Sequence, residues 1–180
     1  MAKFEVVSDY SSENIALPVR KTAQSAGYDI AAAQDMIIYP YQNLCELMLA
    51  RVKDAPNGPL TLDEMNKFTK QIYARPALVP TGIKCKLDPG TYLELSVRSS
   101  TPLKYWLIMA NGIGIIDADY YNNPENEGHI YFQLINLSPY PILIRKGDII
   151  GQGIIKNYGV TEDDCAFGER TGGFGSTTNG

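Results

Sequence analysis

The chain has one histidine, His129, and only three cysteines, Cys45, Cys85 and Cys165, scattered without metal-ligand spacing. That scarcity argues against a Cys/His zinc centre, and the odd, dispersed thiols fit reduced cysteines in a cytoplasm. No apolar run approaches the roughly 20 residues that span a bilayer, so no membrane partner is expected. The N-terminal Met-Ala-Lys-Phe-Glu-Val-Val places an acid inside its apolar part and has no cleavage-like site, so it reads as a first strand rather than a signal peptide. There is no basic excess: 16 Lys and Arg face 20 Asp and Glu, for a net charge of −4. That balance argues against a nucleic-acid partner, while a small anionic ligand needs only a local patch. No internal repeat is visible.

What is present describes an ordinary globular protein. The 180 residues are 44% hydrophobic and 20% charged, enough for one domain over 1–180 with a proper core. Phe4–Val7 and Met36–Tyr39 read as strands, the second stopped by Pro40. Ser8–Gln24 is polar and irregular. Asp88-Pro89-Gly90 is a turn. After it Leu93, Leu95 and Val97 alternate with polar residues, as Ile130, Phe132 and Leu134 do later. Ile142 and Ile144, then Ile149–Ile155 beyond the Lys146-Gly147-Asp148 turn, suggest two more strands. Many short strands with turn residues between them predict a mainly β, barrel-like or sandwich fold.

One segment differs in kind. Residues 43–76 predict an inserted helical hairpin: Leu44, Leu47, Met48 and Val52 recur at helical spacing, and Pro56-Asn57-Gly58-Pro59 breaks the run. Thr61 and Glu64 then form a capping-box pattern ahead of Leu62, Met65, Phe68 and Ile72. The apolar stripe reads as a packing surface. The glycine-rich end, 166–180, cannot pack as a regular element and is expected to be a mobile arm.

Three stretches could carry chemistry. Asn111–Tyr120 joins two glycines, an Ile115–Ile116 pair, the acid Asp117 and the aromatic Tyr120. Such a stretch can bind a flat ring and act beside it; alone, its plain reading is a β-hairpin with a polar turn. Arg98-Ser99-Ser100-Thr101-Pro102 places Pro102 in the first turn of a helix with Thr101 as its cap, and exposed amides and hydroxyls beside a guanidinium suit a phosphate. Arg170 and the Gly172–Gly180 tail could curl around an anion, with Phe174 covering a base. A carboxylate such as Asp117 is ionised at neutral pH and can orient and deprotonate a water.

Taken in order, these stretches resemble the five motifs of the trimeric dUTPase family. Leu17-Pro18 through Ala26-Gly27-Tyr28-Asp29-Ile30 resembles the first, Arg98-Ser99-Ser100 the second and Asn111–Tyr120 the third. Gly147–Gln152 resembles the fourth, and Arg170 with Gly172–Thr177 the fifth. The resemblance implies a β-barrel, jelly-roll-like subunit in a homotrimer with shared active sites, hydrolysing dUTP to dUMP and pyrophosphate. It implies Mg²⁺ held by substrate phosphates and waters, with no direct protein ligand. Asp117 would orient the water that attacks the α-phosphorus. Tyr120 would pack on the deoxyribose and exclude a 2′-hydroxyl. Asn111 and nearby backbone, at Gly114 and Ile116, would read the uracil edge, with Tyr131 or its neighbour Ile130 completing the pocket. Arg98, Ser99, Ser100 and Gln152 would hold phosphates, Arg170, Phe174, Gly175, Ser176 and Thr177 would close over the ligand, and Asp29 and Asp148 would support the site.

This chain departs from the motifs in places. Ser100 stands where glycine is usual, Tyr121–Glu127 lengthens the loop between Tyr120 and Gly128, the fifth motif is one residue shorter, and the insertion replaces a short connection. Two alternatives follow. The related dCTP deaminases share the fold, but their catalytic glutamate aligns with Gln133, which cannot shuttle a proton. A dUTPase-like binding or regulatory protein would use the insertion to contact a partner.

Overall fold

A computed structural model of the chain describes residues 1–43, 46, 59–72, 75–168 and 170. Within them lie eleven strands: β1 (Lys3–Val6), β2 (Tyr28–Ala31), β3 (Met36–Ile38), β4 (Ala77–Pro80), β5 (Ile83–Lys86), β6 (Thr91–Ser96), β7 (Leu107–Met109), β8 (Gly114–Asp117), β9 (Tyr131–Asn136), β10 (Ile142–Ile144) and β11 (Ile149–Asn157). The helices α1 (Leu62–Ile72) and α2 (Ser100–Tyr105), helical residues at 41–43 and 46, and short 3-10 turns at Ser8–Tyr10 and Ala118–Tyr120 complete them. No helix among the described residues is long and apolar enough to cross a membrane.

The strands pair antiparallel. One sheet runs β2-β11-β6-β8 and a second β4-β9-β7, with the pairs β1-β5 and β3-β10 at their flanks. The alternation seen in the sequence sets which side chains face in. Leu93 and Leu95 of β6 and Phe132 and Leu134 of β9 are all but fully buried, and both larger sheets contribute to one core cluster with Ile30, Val79, Ile83 and Ile130. Each such side chain contributes about 1.5–3 kcal/mol on burial. The Asp88-Pro89-Gly90 turn closes with the Thr91 amide on the Asp88 carbonyl at 3.2 Å.

The structure differs from three local expectations. Asn111–Tyr120 is not a hairpin: β7 pairs with β9 and β8 with β6, so the chain crosses from one sheet to the other between them. Leu107 and Met109 are buried on one sheet and Ile116 on the other, and burying both apolar sets needs the crossing. Thr101 does not cap α2. The helix starts two residues earlier than expected, at Ser100, Thr101 is buried, and its amide donates to the Arg98 carbonyl at 2.9 Å. Pro102 does sit in the first turn, where no amide is needed. At α1 the capping box forms, with the Thr61 amide on Glu64 Oε2 at 2.8 Å and the Glu64 amide on Thr61 Oγ1 at 3.3 Å. Its Leu62 and Met65 are exposed, so at these positions the stripe does not pack within the subunit. The expected first arm falls mostly outside the described residues, apart from helical residues 41–43 and 46.

Candidate active site

β8 ends at Asp117, and the 3-10 turn that follows folds Tyr120 back against the core. This creates a cleft of about 150 Å³ beside the strand. Asn111, Gly114, Ile116, Tyr120, Tyr131 and Arg170 line it, together with Gln133. Ile130 is fully buried in the core instead, because β9 alternates and only its odd-numbered neighbour Tyr131 turns to the cleft. The Tyr120 hydroxyl donates to the His129 carbonyl at 3.1 Å and accepts from Asn126 Nδ2 at 2.8 Å. Asp117 and Asp119 are exposed at the rim, and Arg170 Nη1 reaches them at 2.9 and 3.1 Å. The same guanidinium lies 5.3 Å over the Tyr120 ring.

The electrostatics keep the aromatic wall neutral. Burial pushes the Tyr120 and Tyr131 hydroxyls up from the ordinary tyrosine range. Burial also pushes His129 down to about 4, so its imidazole is uncharged at neutral pH. Its Nε2 accepts the Gly82 amide at 2.9 Å, which leaves the ring proton on Nδ1. Burial works against the Arg170 charge, but hydrogen bonds and charges from Asp117 and Asp119 outweigh it.

A second, polar cleft of about 270 Å³ lies at the β2-β11-β6 junction. Register explains its contents: Gln152 of β11 stands opposite Asp29 of β2 on one side and Ser96 of β6 on the other. Arg98, Ser99 and Lys21 border the same cleft. Gln152 Nε2 donates to Ser96 Oγ at 3.3 Å. Its side chain passes so close to Gly27 that a Cβ there would come within 2.3 Å of Gln152 Oε1. Arg98 Nε is 3.4 Å from Asp29 Oδ1, while the buried Asp29 Oδ2 has no hydrogen-bond partner.

Most of the described residues singled out in the sequence therefore fall into two groups. Asn111, Gly114, Ile116, Asp117, Tyr120, Tyr131 and Arg170 gather at the first cleft, and Asp29, Arg98, Ser99 and Gln152 at the second. Along β6 the Asp117 and Gln152 pairings are at Tyr92 and Ser96, roughly 13 Å of strand apart. Ser100 and Asp148 border a larger cavity of about 310 Å³, which Arg98 reaches too. Asp148 also holds its own turn, accepting the Arg145 amide at 2.8 Å. Phe174, Gly175, Ser176 and Thr177 lie outside the described residues. Sequence reasoning missed Lys21, which its place inside the first motif could have flagged. It also missed His129 and Asn126, whose contacts no local pattern announces. Among the described residues no three His, Cys, Asp or Glu side chains cluster as a metal site.

The family model for dUTPase matches residues 64–178. The chain belongs to the dUTPase family. The deoxyuridine 5'-triphosphate nucleotidohydrolase of Lactococcus lactis is 36% identical over 176 residues, which cover 97% of this chain and 95% of that protein. Among solved structures, the dUTPase of Streptococcus mutans aligns with a TM-score of 0.66 at 33% identity, covering 88% of this chain and 98% of that one. A dUTPase from phage phi11 of S. aureus, described with a structural Mg(II) ion, aligns at a TM-score of 0.60 and 17% identity over 93% of this chain and 97% of that one. It shares the fold.

Proposed function

We propose that the chain hydrolyses dUTP to dUMP and pyrophosphate. The observation that carries this reading is Asp117 at the rim of a nucleoside-sized cleft walled by Tyr120, Tyr131 and Asn111, in a chain of the dUTPase family. Asp117 takes a proton from a water as that water attacks the α-phosphorus, and pyrophosphate departs. Tyr120 lies along the deoxyribose. Asn111 and the backbone near Gly114 and Ile116 bond the uracil edge, where a wrong base leaves buried polar groups unpaired. Arg98, Ser99, Ser100 and Gln152 hold the phosphates, and Asp29 fixes Arg98. Arg170 leaves the Asp117 carboxylate to meet the phosphates, and Phe174, Gly175, Ser176 and Thr177 cover the ligand, a role that rests on the resemblance alone.

The separation of the two clefts supports a homotrimer with shared sites, since one copy then presents the nucleoside cleft to the polar cleft of another. One domain over 1–180 carries this arrangement, with 43–76 as an insertion and 166–180 as the closing arm. Exposed Leu62 and Met65 favour a partner surface on that insertion. Free thiols at Cys85 and Cys165 fit a cytoplasmic setting. The residues also fit Mg²⁺ bound through substrate phosphates and waters. The unpartnered, buried Asp29 Oδ2 at the polar cleft suits an ordered water of such an ion, and no direct cluster is required. When bound, the ion screens the triphosphate charge.

Pyrophosphate release from dUTP tests the reading. Asp117→Asn should lower kcat at least about 100-fold with the fold intact; a wild type silent with Mg²⁺ present would defeat it. Deamination is disfavoured because Gln133, not a carboxylate, lines the cleft. Ammonia released from dCTP would reverse that preference.

A further inference from the structure

The lengthened loop after Tyr120 is fastened at both ends. Its outer side is pinned to β1, β5 and the Ser8–Tyr10 turn. Lys84 Nζ donates to Asn122 Oδ1 at 2.7 Å and to Glu127 Oε2 at 3.1 Å, the Ser8 hydroxyl donates to Glu127, and the Tyr121 hydroxyl donates to Glu5. Its inner side touches both tyrosines of the nucleoside cleft. Asn126 Nδ2 donates to the Tyr120 hydroxyl at 2.8 Å, and the His129 carbonyl accepts from that hydroxyl at 3.1 Å. The His129 ring lies 4.1 Å from the Tyr131 ring and is backed edge-on by Tyr10 at 5.3 Å. The loop cannot easily shift between these anchors. Gly128 sits at φ +78°, and a Cβ there would come within 2.3 Å of the Tyr120 carbonyl oxygen.

We infer that Asn126 and His129 are positioning residues: the lengthened loop sets the width of the nucleoside cleft by holding Tyr120 and Tyr131. This rests on reading that cleft as the nucleoside site. Neither residue lines the cleft, so each acts through a tyrosine that does. The Tyr120 hydroxyl is occupied behind the wall, by Asn126 and His129, and its ring is what the sugar meets. Freed of the Asn126 donor, the ring gains room, and the cleft admits a 2′-hydroxyl more readily. The loss falls on binding shared by ground and transition states, so KM moves more than kcat.

The test compares pyrophosphate release from dUTP and UTP by wild type, Asn126→Ala, Tyr120→Phe and the double variant. Asn126→Ala removes the donor to Tyr120 and, unlike aspartate, leaves no new acceptor for its hydroxyl; it also gives up the acceptor of the Gly128 amide, 3.0 Å away, a loss the double variant shares. The expected result is a dUTP-over-UTP ratio of kcat/KM about three- to tenfold lower, with KM for dUTP raised and kcat within about twofold. In the Tyr120→Phe background, Asn126→Ala should lower the ratio almost no further, because its target hydroxyl is gone. Should Asn126→Ala fail to fold, Tyr120→Phe reads the same tether from the other end and must lower the ratio by itself. An unchanged ratio in a folded, active variant overturns the inference, as does an Asn126→Ala effect of equal size without the hydroxyl. A wild type inactive on dUTP overturns the proposed function as well, which sets that failure apart.

Discussion

At the scale of single residues, burial decides which groups can change charge. His129 is 5% exposed, and burial holds its pKa at about 4 instead of 6.5. The unfolded chain therefore takes up a proton first as pH falls. The stabilisation is complete above pH 6.5 and is lost on the way down to pH 4, by about 3 kcal/mol. Denaturant titrations between pH 7 and 4.5 should show this slope, and His129→Gln should flatten it, since glutamine can still accept the Gly82 amide but does not titrate. The carboxylates held low by partners, Glu5, Glu94 and Glu127, begin to lose their contribution near their ordinary value of 4.5, at the acid end of that window, and go on losing it below. The same reasoning makes Cys85 inert: burial pushes its thiol up to about 12, while Cys165 stays exposed.

At the scale of elements, one cap and one turn were legible in the chain, while the Thr101 cap and the Asn111–Tyr120 hairpin did not form as expected. The Thr61–Glu64 box and the Asp88–Thr91 turn need only neighbouring residues, and both form as the local pattern predicts. The partners of β7 and β8 were illegible, because two short apolar strands around Gly112 look alike whether they pair with each other or with strands far along the chain. The loop 121–127 was recognised as long, but its link to Tyr120 appears only where Asn126 Nδ2 meets that residue's hydroxyl. Gly128→Ala should cost at least about 2 kcal/mol, since alanine must adopt a positive φ and its methyl meets the Tyr120 carbonyl. Chemical denaturation checks this, and the surviving fraction should discriminate dUTP from UTP less well.

At the scale of the whole molecule, the two clefts of one subunit pose a question of assembly. If each site combines Asp117 of one copy with Arg98 and Gln152 of another, two inactive variants can rescue each other. Asp117→Asn and Arg98→Ala chains, refolded together in equal amounts, should recover up to roughly a quarter of wild-type activity through mixed trimers. Each refolded alone should recover none. A single-chain site predicts no rescue on mixing, and sedimentation would report the assembly directly. The cavity of about 310 Å³, walled in part by Leu107, Leu134, Ile142 and Ile150, does not include Asp117 in its lining, although it is larger than the cleft that Tyr120 and Tyr131 line.

The amino-acid sequence by itself determined the β class, the alternating core faces, the capped α1 and the order of the motifs, because each depends on residues within a few positions of one another. Only the tertiary structure decided that Tyr131 rather than Ile130 reaches the cleft, that Asp117 meets Arg170, and that Arg98 and Gln152 sit in a cleft apart from that of Asn111 and Tyr120. Those outcomes depend on strand register and on pairings across 50 or more residues, as between Asp117 and Arg170, and no local pattern encodes which distant strand a short apolar segment will join.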